Sequence, residues 1–312
     1  MNNSEQENKK LTGSTSFTLA SKVKDYFQLI KFTLSFMVVF STVVSFLIAP
    51  NEQFYVREKL ISVLLLFVAG MLVTGSANAI NQVLEKGSDA LMMRTAKRPV
   101  ASGRMSVNEA GVFAFITGAA GIYMMWRFFN MESAMVSLFS LFLYGFIYTP
   151  LKKVNSVSVL VGAIPGALPC LIGWVAAYGN EQVSWTGAWV LFGIQFLWQF
   201  PHFWAIAWLA HKDYITAGFK LLPADKGPTK FTAMQSIIYS ALMIPMGFLP
   251  YYTGVSGMVS MFILLACNLW MVYVSVLLFI RMDAKSARRV MFSSYFYLMI
   301  VLLAMFADRM GY

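Results

Sequence analysis

Charge is what this sequence has least of. Asp, Glu, Lys and Arg make up 12% of its 312 residues and hydrophobic side chains 58%. Soluble domains carry about 25% charged residues, so an ordinary water-soluble domain is excluded. Cysteine is almost missing as well. Cys170 and Cys267 both lie in apolar runs, which excludes a disulfide framework or a cysteine metal site. The first 25 residues have neither the apolar core of a signal peptide nor the arginines of a mitochondrial transit segment, so the N-terminus is expected to stay in the cytoplasm. Sustained alternation is also absent, and the apolar runs far exceed a barrel strand, which excludes a membrane β-barrel. With no water to satisfy backbone groups, helices are the form left.

Nine apolar runs are present, at about 28–49, 60–80, 107–126, 133–149, 156–177, 187–209, 232–252, 257–280 and 290–307. The expected fold is therefore all-α, a polytopic membrane protein with nine transmembrane helices. Residues 1–27 read as a polar cytoplasmic tail and 28–312 as one transmembrane domain, with no linker to a second. With the N-terminus inside, 20 of the 24 Lys and Arg fall in inner segments. Only Arg57, Lys59, Arg127 and Arg309 fall outside, as the positive-inside rule requires. This distribution explains the net charge of +10 better than nucleic-acid binding, which calls for a basic domain. A bacterial inner membrane is the expected location.

The inner loops carry the chemistry. Asn81, Glu85 and Asp89 recur every four residues. On a helix each step drifts only about 40° and rises about 6 Å, so the three oxygens are expected along one face. Such a row suits a hard cation like Mg²⁺ that shares its shell with diphosphate oxygens. Arg94, Lys97, Arg98 and Arg104 follow, with Pro99 expected to stop the helix and turn the chain back. Arginine's fork suits phosphate oxygens. Lys152 and Lys153 bring two more cations to the same side. Asp213, in the loop after the sixth run, is a candidate second metal site. His202, deeper in that run, is either a hydrogen-bonded core imidazole or a functional group at membrane depth. Gly162, Pro165, Gly166, Pro169 and Gly173 form a small-residue face for close packing, with prolines that bend the helix.

Taken together, these residues resemble the intramembrane polyprenyltransferase superfamily and, within it, the protohaem IX farnesyltransferase (haem O synthase) family. The resemblance rests on three stretches in order over about residues 25–310. The first runs from Asn81, Glu85 and Asp89 through Met93-Arg94-Thr95 and Arg98-Pro99 to Gly103-Arg104. The second joins Tyr148-Thr149 and Lys152-Lys153 to Gly166-Ala167-Leu168-Pro169 and Gly173-Trp174. The third is Trp198-Gln199-Phe200-Pro201-His202-Phe203-Trp204 with Asp213-Tyr214, Ala217-Gly218 and Leu222-Pro223. Four departures stand out: Glu85 where Asp is usual, Cys170 in place of a frequent second proline, Lys31 followed by Phe32-Thr33 instead of the frequent Pro-Arg, and Asp213 without an acidic partner four residues on.

The resemblance implies a prenyltransferase-type bundle that moves a farnesyl group from farnesyl diphosphate to a vinyl group of haem B, giving haem O for haem-copper oxidase assembly. Mg²⁺ would be held by Asn81, Glu85, Asp89 and Asp213. The diphosphate would meet Arg94, Arg98, Lys152 and Lys153, and the haem His202. Membrane lipid surrounds the bundle and a haem A synthase is the candidate partner. A prenyltransferase acting on an aromatic quinone precursor is the nearest rival. A transporter would need polar residues at mid-span, where the runs are mostly Leu, Val, Phe, Met and small residues. A membrane haem chaperone would make no use of diphosphate.

Overall fold

The computed structural model describes residues 19–50, 56–179, 181–223 and 227–310. Residues 1–18, most of the expected polar tail, lie outside the described residues. The chain is helical throughout: α1 (Leu19–Leu29), α2 (Phe32–Ile48), α3 (Val56–Leu84), α4 (Lys86–Leu91), α5 (Val107–Phe128), α6 (Met131–Leu151), α7 (Ser158–Ala176), α8 (Trp185–Leu209), α9 (His211–Thr216), α10 (Lys230–Tyr252), α11 (Met258–Arg281) and α12 (Ala284–Ala307). Eight are long and apolar enough to cross a bilayer, and α1 with α2, bent by 51°, makes a ninth. All nine expected spans are matched in order.

Boundaries differ where charge misled the reading. Residues 19–27, assigned to the tail, form most of α1. Its polar face docks through Lys22 to Glu109 at 3.0 Å and through buried Asp25 to Arg104 at 2.9 Å. The last helix begins at Ala284 rather than near 290, because Asp283 caps it by accepting from the Ser286 backbone N–H at 2.7 Å. Arg288 and Arg289 thus ride on a helix instead of preceding one.

Neighbouring helices pack in a ring that runs α2, α3, α5, α6, α7, α8, α10, α11, α12 and back to α2. The interior is drawn from α7 and α8, and α7 is buried along nearly its whole length. Small residues make this possible: a Cβ at Gly173 would run into the Thr42 carbonyl oxygen of α2, and one at Gly166 into the Gln199 side chain of α8. Lipid offers no hydrophobic drive between helices, so such close approach is what holds them. A π-helical stretch over Leu143–Tyr148 interrupts α6. Irregular turns of this kind gather at functional sites, and here Tyr144 and Tyr148 both reach the central cavity.

Candidate active site

Three loops converge at one end of the bundle. The Lys220 backbone N–H donates to the Lys152 carbonyl at 2.8 Å, the Arg94 backbone N–H meets Asp213 Oδ2 at 3.4 Å, and Met92 packs with Ala217 and Phe219. Asp89 and Asp213 therefore belong to the same end of the molecule.

The acid row is not one helix. α3 ends at Leu84, and Glu85, at φ −97° and ψ 9°, is the hinge to α4. Two backbone bonds still bridge the hinge, Glu85 N–H to the Asn81 carbonyl at 2.9 Å and Asp89 N–H to the Glu85 carbonyl at 2.7 Å. All three side chains accordingly turn inward and are buried, Asp89 completely. Pro99 is not what ends this segment either. α4 stops at Leu91, eight residues earlier, and a run of turns covers 92–103.

Each oxygen group meets a cation. Arg98 Nη1 donates to both Asp89 oxygens at 2.8 Å, Lys152 Nζ to Glu85 Oε1 at 2.8 Å and Lys31 Nζ to Asn81 Oδ1 at 2.9 Å. A carboxylate buried without such partners would be prohibitive, and breaking one buried pair costs about 3–5 kcal/mol. Lys31 is not among the site residues expected from the sequence. The structure places it at the α1–α2 break with φ 48°, a left-handed conformation costing roughly 1–3 kcal/mol that recurs where function fixes the backbone. The one signal in the sequence was a lone lysine at the mouth of the first apolar run.

The other expected cations do not converge. Lys153 is exposed, in contrast to buried Lys152. Arg94 is exposed at the rim, with Nη2 3.4 Å from the Tyr214 hydroxyl. Arg104 points away, to Asp25, Gln28 and the Lys97 carbonyl. Its turn requires Gly103, at φ 77°, where an L side chain would be strained. Asp213 sits against the Arg94 backbone, and among the described residues no group of three or more His, Cys, Asp or Glu gathers to hold a metal.

The donor set nonetheless fits Mg²⁺. Asn81, Glu85 and Asp89 offer only hard oxygens in a buried pocket that already holds balancing positive charge. Mg²⁺ ordinarily keeps waters and takes substrate phosphates around one or two carboxylates, without a full protein cage.

Below this cluster lies a cavity of about 630 Å³, within the roughly 300–1,000 Å³ of ligand pockets. Tyr148 joins the two: it lines the cavity, and Lys152 Nζ lies 4.5 Å from its ring centroid. Apolar side chains of α2, α3 and α7 line part of the wall, and Gln195, Gln199 and His202 come from α8. His202 stacks on Trp198 at 4.9 Å and meets the edge of Tyr295 at 5.0 Å.

The tautomer of His202 follows from the hydrogen bonds. Ser294 Oγ donates its only hydrogen to the Met291 carbonyl at 2.6 Å. The contact from His202 Nδ1 to Ser294 Oγ, 2.8 Å, must then have Nδ1–H as donor. Nε2 is left with a lone pair on a residue that lines the cavity. Ser294 lies on α12, 92 residues away, and nothing in the sequence pointed to it.

A charged, oxygen-lined mouth over an apolar intramembrane cavity defines an intramembrane transferase of amphiphilic phosphates, and the chain belongs to the UbiA prenyltransferase family, whose profile matches residues 38–301. It is 41% identical over 291 residues to a protoheme IX farnesyltransferase from Cytophaga hutchinsonii, covering 93% of this chain and 99% of that relative. The fold is shared with a digeranylgeranylglyceryl phosphate synthase at a TM-score of 0.74 and 20% identity, over 92% of this chain and 98% of that one. It is shared too with a UbiA homologue from Archaeoglobus fulgidus bound to GPP and Mg²⁺, at a TM-score of 0.62 and 14% identity, over 90% and 99% of the two chains.

Proposed function

We propose that this protein transfers the farnesyl group of farnesyl diphosphate to a vinyl group of haem B, with addition of water, giving haem O. The observation that carries the reading is the junction of two environments through Tyr148: the Asp89–Arg98 and Glu85–Lys152 pairs on one side and the apolar cavity bordered by His202 on the other.

Farnesyl diphosphate is built to bridge them. Its diphosphate belongs at the mouth and its hydrocarbon in the cavity. Asn81, Glu85 and Asp89, with Asp213 at the rim, would hold Mg²⁺, which when bound supplies charge neutralisation to the leaving diphosphate. Arg98 and Lys152 stabilise the negative charge that grows as the C1–O bond breaks and its electron pair departs with the diphosphate. Arg94 meets the anion at the entrance, and Lys153 contributes only field. The cavity keeps bulk water from the allylic cation until the vinyl π pair forms the new carbon–carbon bond. The cation then left beside the porphyrin takes hydroxide from a single water, whose proton passes to solvent. His202 would meet the haem through Nε2, whose lone pair could be offered to the iron, with Nδ1–H held by Ser294.

The location we infer is a bacterial inner membrane, with the mouth and the N-terminus cytoplasmic, which the gathering of 20 of 24 Lys and Arg on one side supports. A haem A synthase is the proposed partner, since a farnesylated haem is too apolar to leave the bilayer unaided.

The test is purified full-length protein with haem B, farnesyl diphosphate and Mg²⁺, followed by mass spectrometry of the haem. Haem O is expected from the wild type, and less than about a hundredth as much from Asp89→Ala. Near-normal output from that variant would remove Asp89 from the role. Prenylation of hydroxybenzoate in preference to haem B would overturn the substrate.

A further inference from the structure

A second concavity lies on the opposite side of α12 from the active-site cavity. Tyr295, Leu298 and Met299 face the central cavity, whereas Phe292, Phe296 and Ile300 face a groove of about 1060 Å³ between α12 and α11. Much of its apolar wall is exposed, Trp270 and Phe296 more than half.

Four cations line one end of this groove: Arg281, Lys285, Arg288 and Arg289. None is in an ion pair among the described residues. The nearest acid in sequence, Asp283, turns its carboxylate to the Ser286 backbone N–H, and that bond first, with a smaller contribution from the charges of Arg281 and Arg289, holds the carboxyl below the usual carboxylate range. This is the same end of the bundle as the mouth, because Lys230 at the start of α10 lies 5.7 Å from the Phe279 ring near the end of α11.

The apolar wall has a definite depth. From Arg289 to Ile300 the helix rises about 16 Å at about 1.5 Å per residue, half of a hydrocarbon core about 30 Å thick. Orientation in the membrane accounts for the sign of the four charges. It does not account for their meeting over one groove a single leaflet deep.

We propose that the α11–α12 groove is a binding site for an anionic phospholipid, with the phosphate among Arg281, Lys285, Arg288 and Arg289 and an acyl chain along Phe292, Phe296 and Ile300. Basic pockets between membrane helices on the positive side are the chemistry that recognises such headgroups. The site is separate from the prenyl-transfer cavity, with α12 as the wall between them.

Native mass spectrometry of the full chain in detergent, titrated with phosphatidylglycerol or phosphatidylcholine, tests this directly. Phosphatidylglycerol is expected to be retained and phosphatidylcholine lost. R288Q/R289Q is expected to weaken retention about 30-fold, roughly fivefold for each charge removed. A266W, which fills the groove and keeps every charge, is expected to weaken it as well, and it decides the matter if the double variant does not fold. The control K212Q/K220Q removes two exposed charges of the neighbouring loop and is expected to leave retention unchanged. Equal retention of the two lipids, an equal loss in the control, or displacement of phosphatidylglycerol by farnesyl diphosphate would each overturn the proposal.

Discussion

Asp89 and Asp308 stand at opposite ends of the bundle, in a chain with only 14 acidic residues, and they are used in different ways. Asp308 closes a helix: its Oδ2 accepts from the Ser260 backbone N–H at 2.6 Å and its carbonyl from the Gly257 N–H at 2.6 Å, at the start of α11. Beside it, Arg309 donates to the Leu47 carbonyl at 3.1 Å. Charge there satisfies backbone groups that helix termini leave open. At the mouth, Asp89 and Glu85 accept from Arg98 and Lys152 instead. Backbone capping uses a charge for good, whereas an acid and a base paired with each other can exchange partners with a divalent cation and a diphosphate. The pattern of partners, more than the residue type, separates the structural end from the chemical one.

The sharpest way to break this contrast is at its two poles. Asp89→Ala is expected to lower haem O formation by about 10²–10³-fold, the loss typical of removing a preorganised charge-stabilising group. Chelation of divalent cations is expected to stop turnover in the wild type to the same degree, restored by added Mg²⁺, with product followed by mass spectrometry. Next in size is the adjacent pair of lysines. Lys152→Gln is expected to cost roughly 10–100-fold in kcat/KM for the prenyl diphosphate, whereas Lys153→Gln stays within about twofold. Equal effects would mean that burial and the Glu85 contact do not mark the working cation.

Ser294→Ala probes the deeper wall. It frees the His202 Nδ1–H, and haem B affinity, read from the Soret band, is expected to fall about 10-fold with the folded structure kept. Unchanged haem spectra would separate Ser294 from His202. The smallest effect belongs to the other pole. Asp308→Ala is expected to destabilise the protein by about 1 kcal/mol, as for loss of a helix cap, seen as a lower thermal midpoint in detergent with turnover unaltered.

Much of the architecture was legible beforehand because the solvent leaves few choices. Apolar runs of about 20 residues have to be helices in a bilayer, and the nine runs appear in the structure in the expected order. Errors in helix ends came from local capping. Asp283 lets α12 begin ahead of its arginines, and the hinge at Glu85 ends α3 well before Pro99. At the mouth, the four-residue recurrence of Asn81, Glu85 and Asp89 pointed to a shared face but not to the break at Glu85; the backbone bonds that bridge the hinge keep all three side chains buried. Neighbours in sequence were a poorer guide to the cations. Lys152 and Lys153 look alike in a string of letters, but only one faces inward. Arg104 belongs by position to the basic cluster, yet its side chain holds α1.

By itself, the sequence determined the solvent, the helices and the oxygen-bearing row, because each depends on composition or on spacings of a few residues. Only the tertiary structure decided that Lys31 answers Asn81, that Lys152 answers Glu85, and that Ser294 sets the proton on His202. Those partners lie 50, 67 and 92 residues apart, and no local periodicity encodes which helix faces which. The packing of α2 on α3 and of α8 on α12 brings the first and last of these pairs together, so the chemistry of the site depends on how closely the helices can approach.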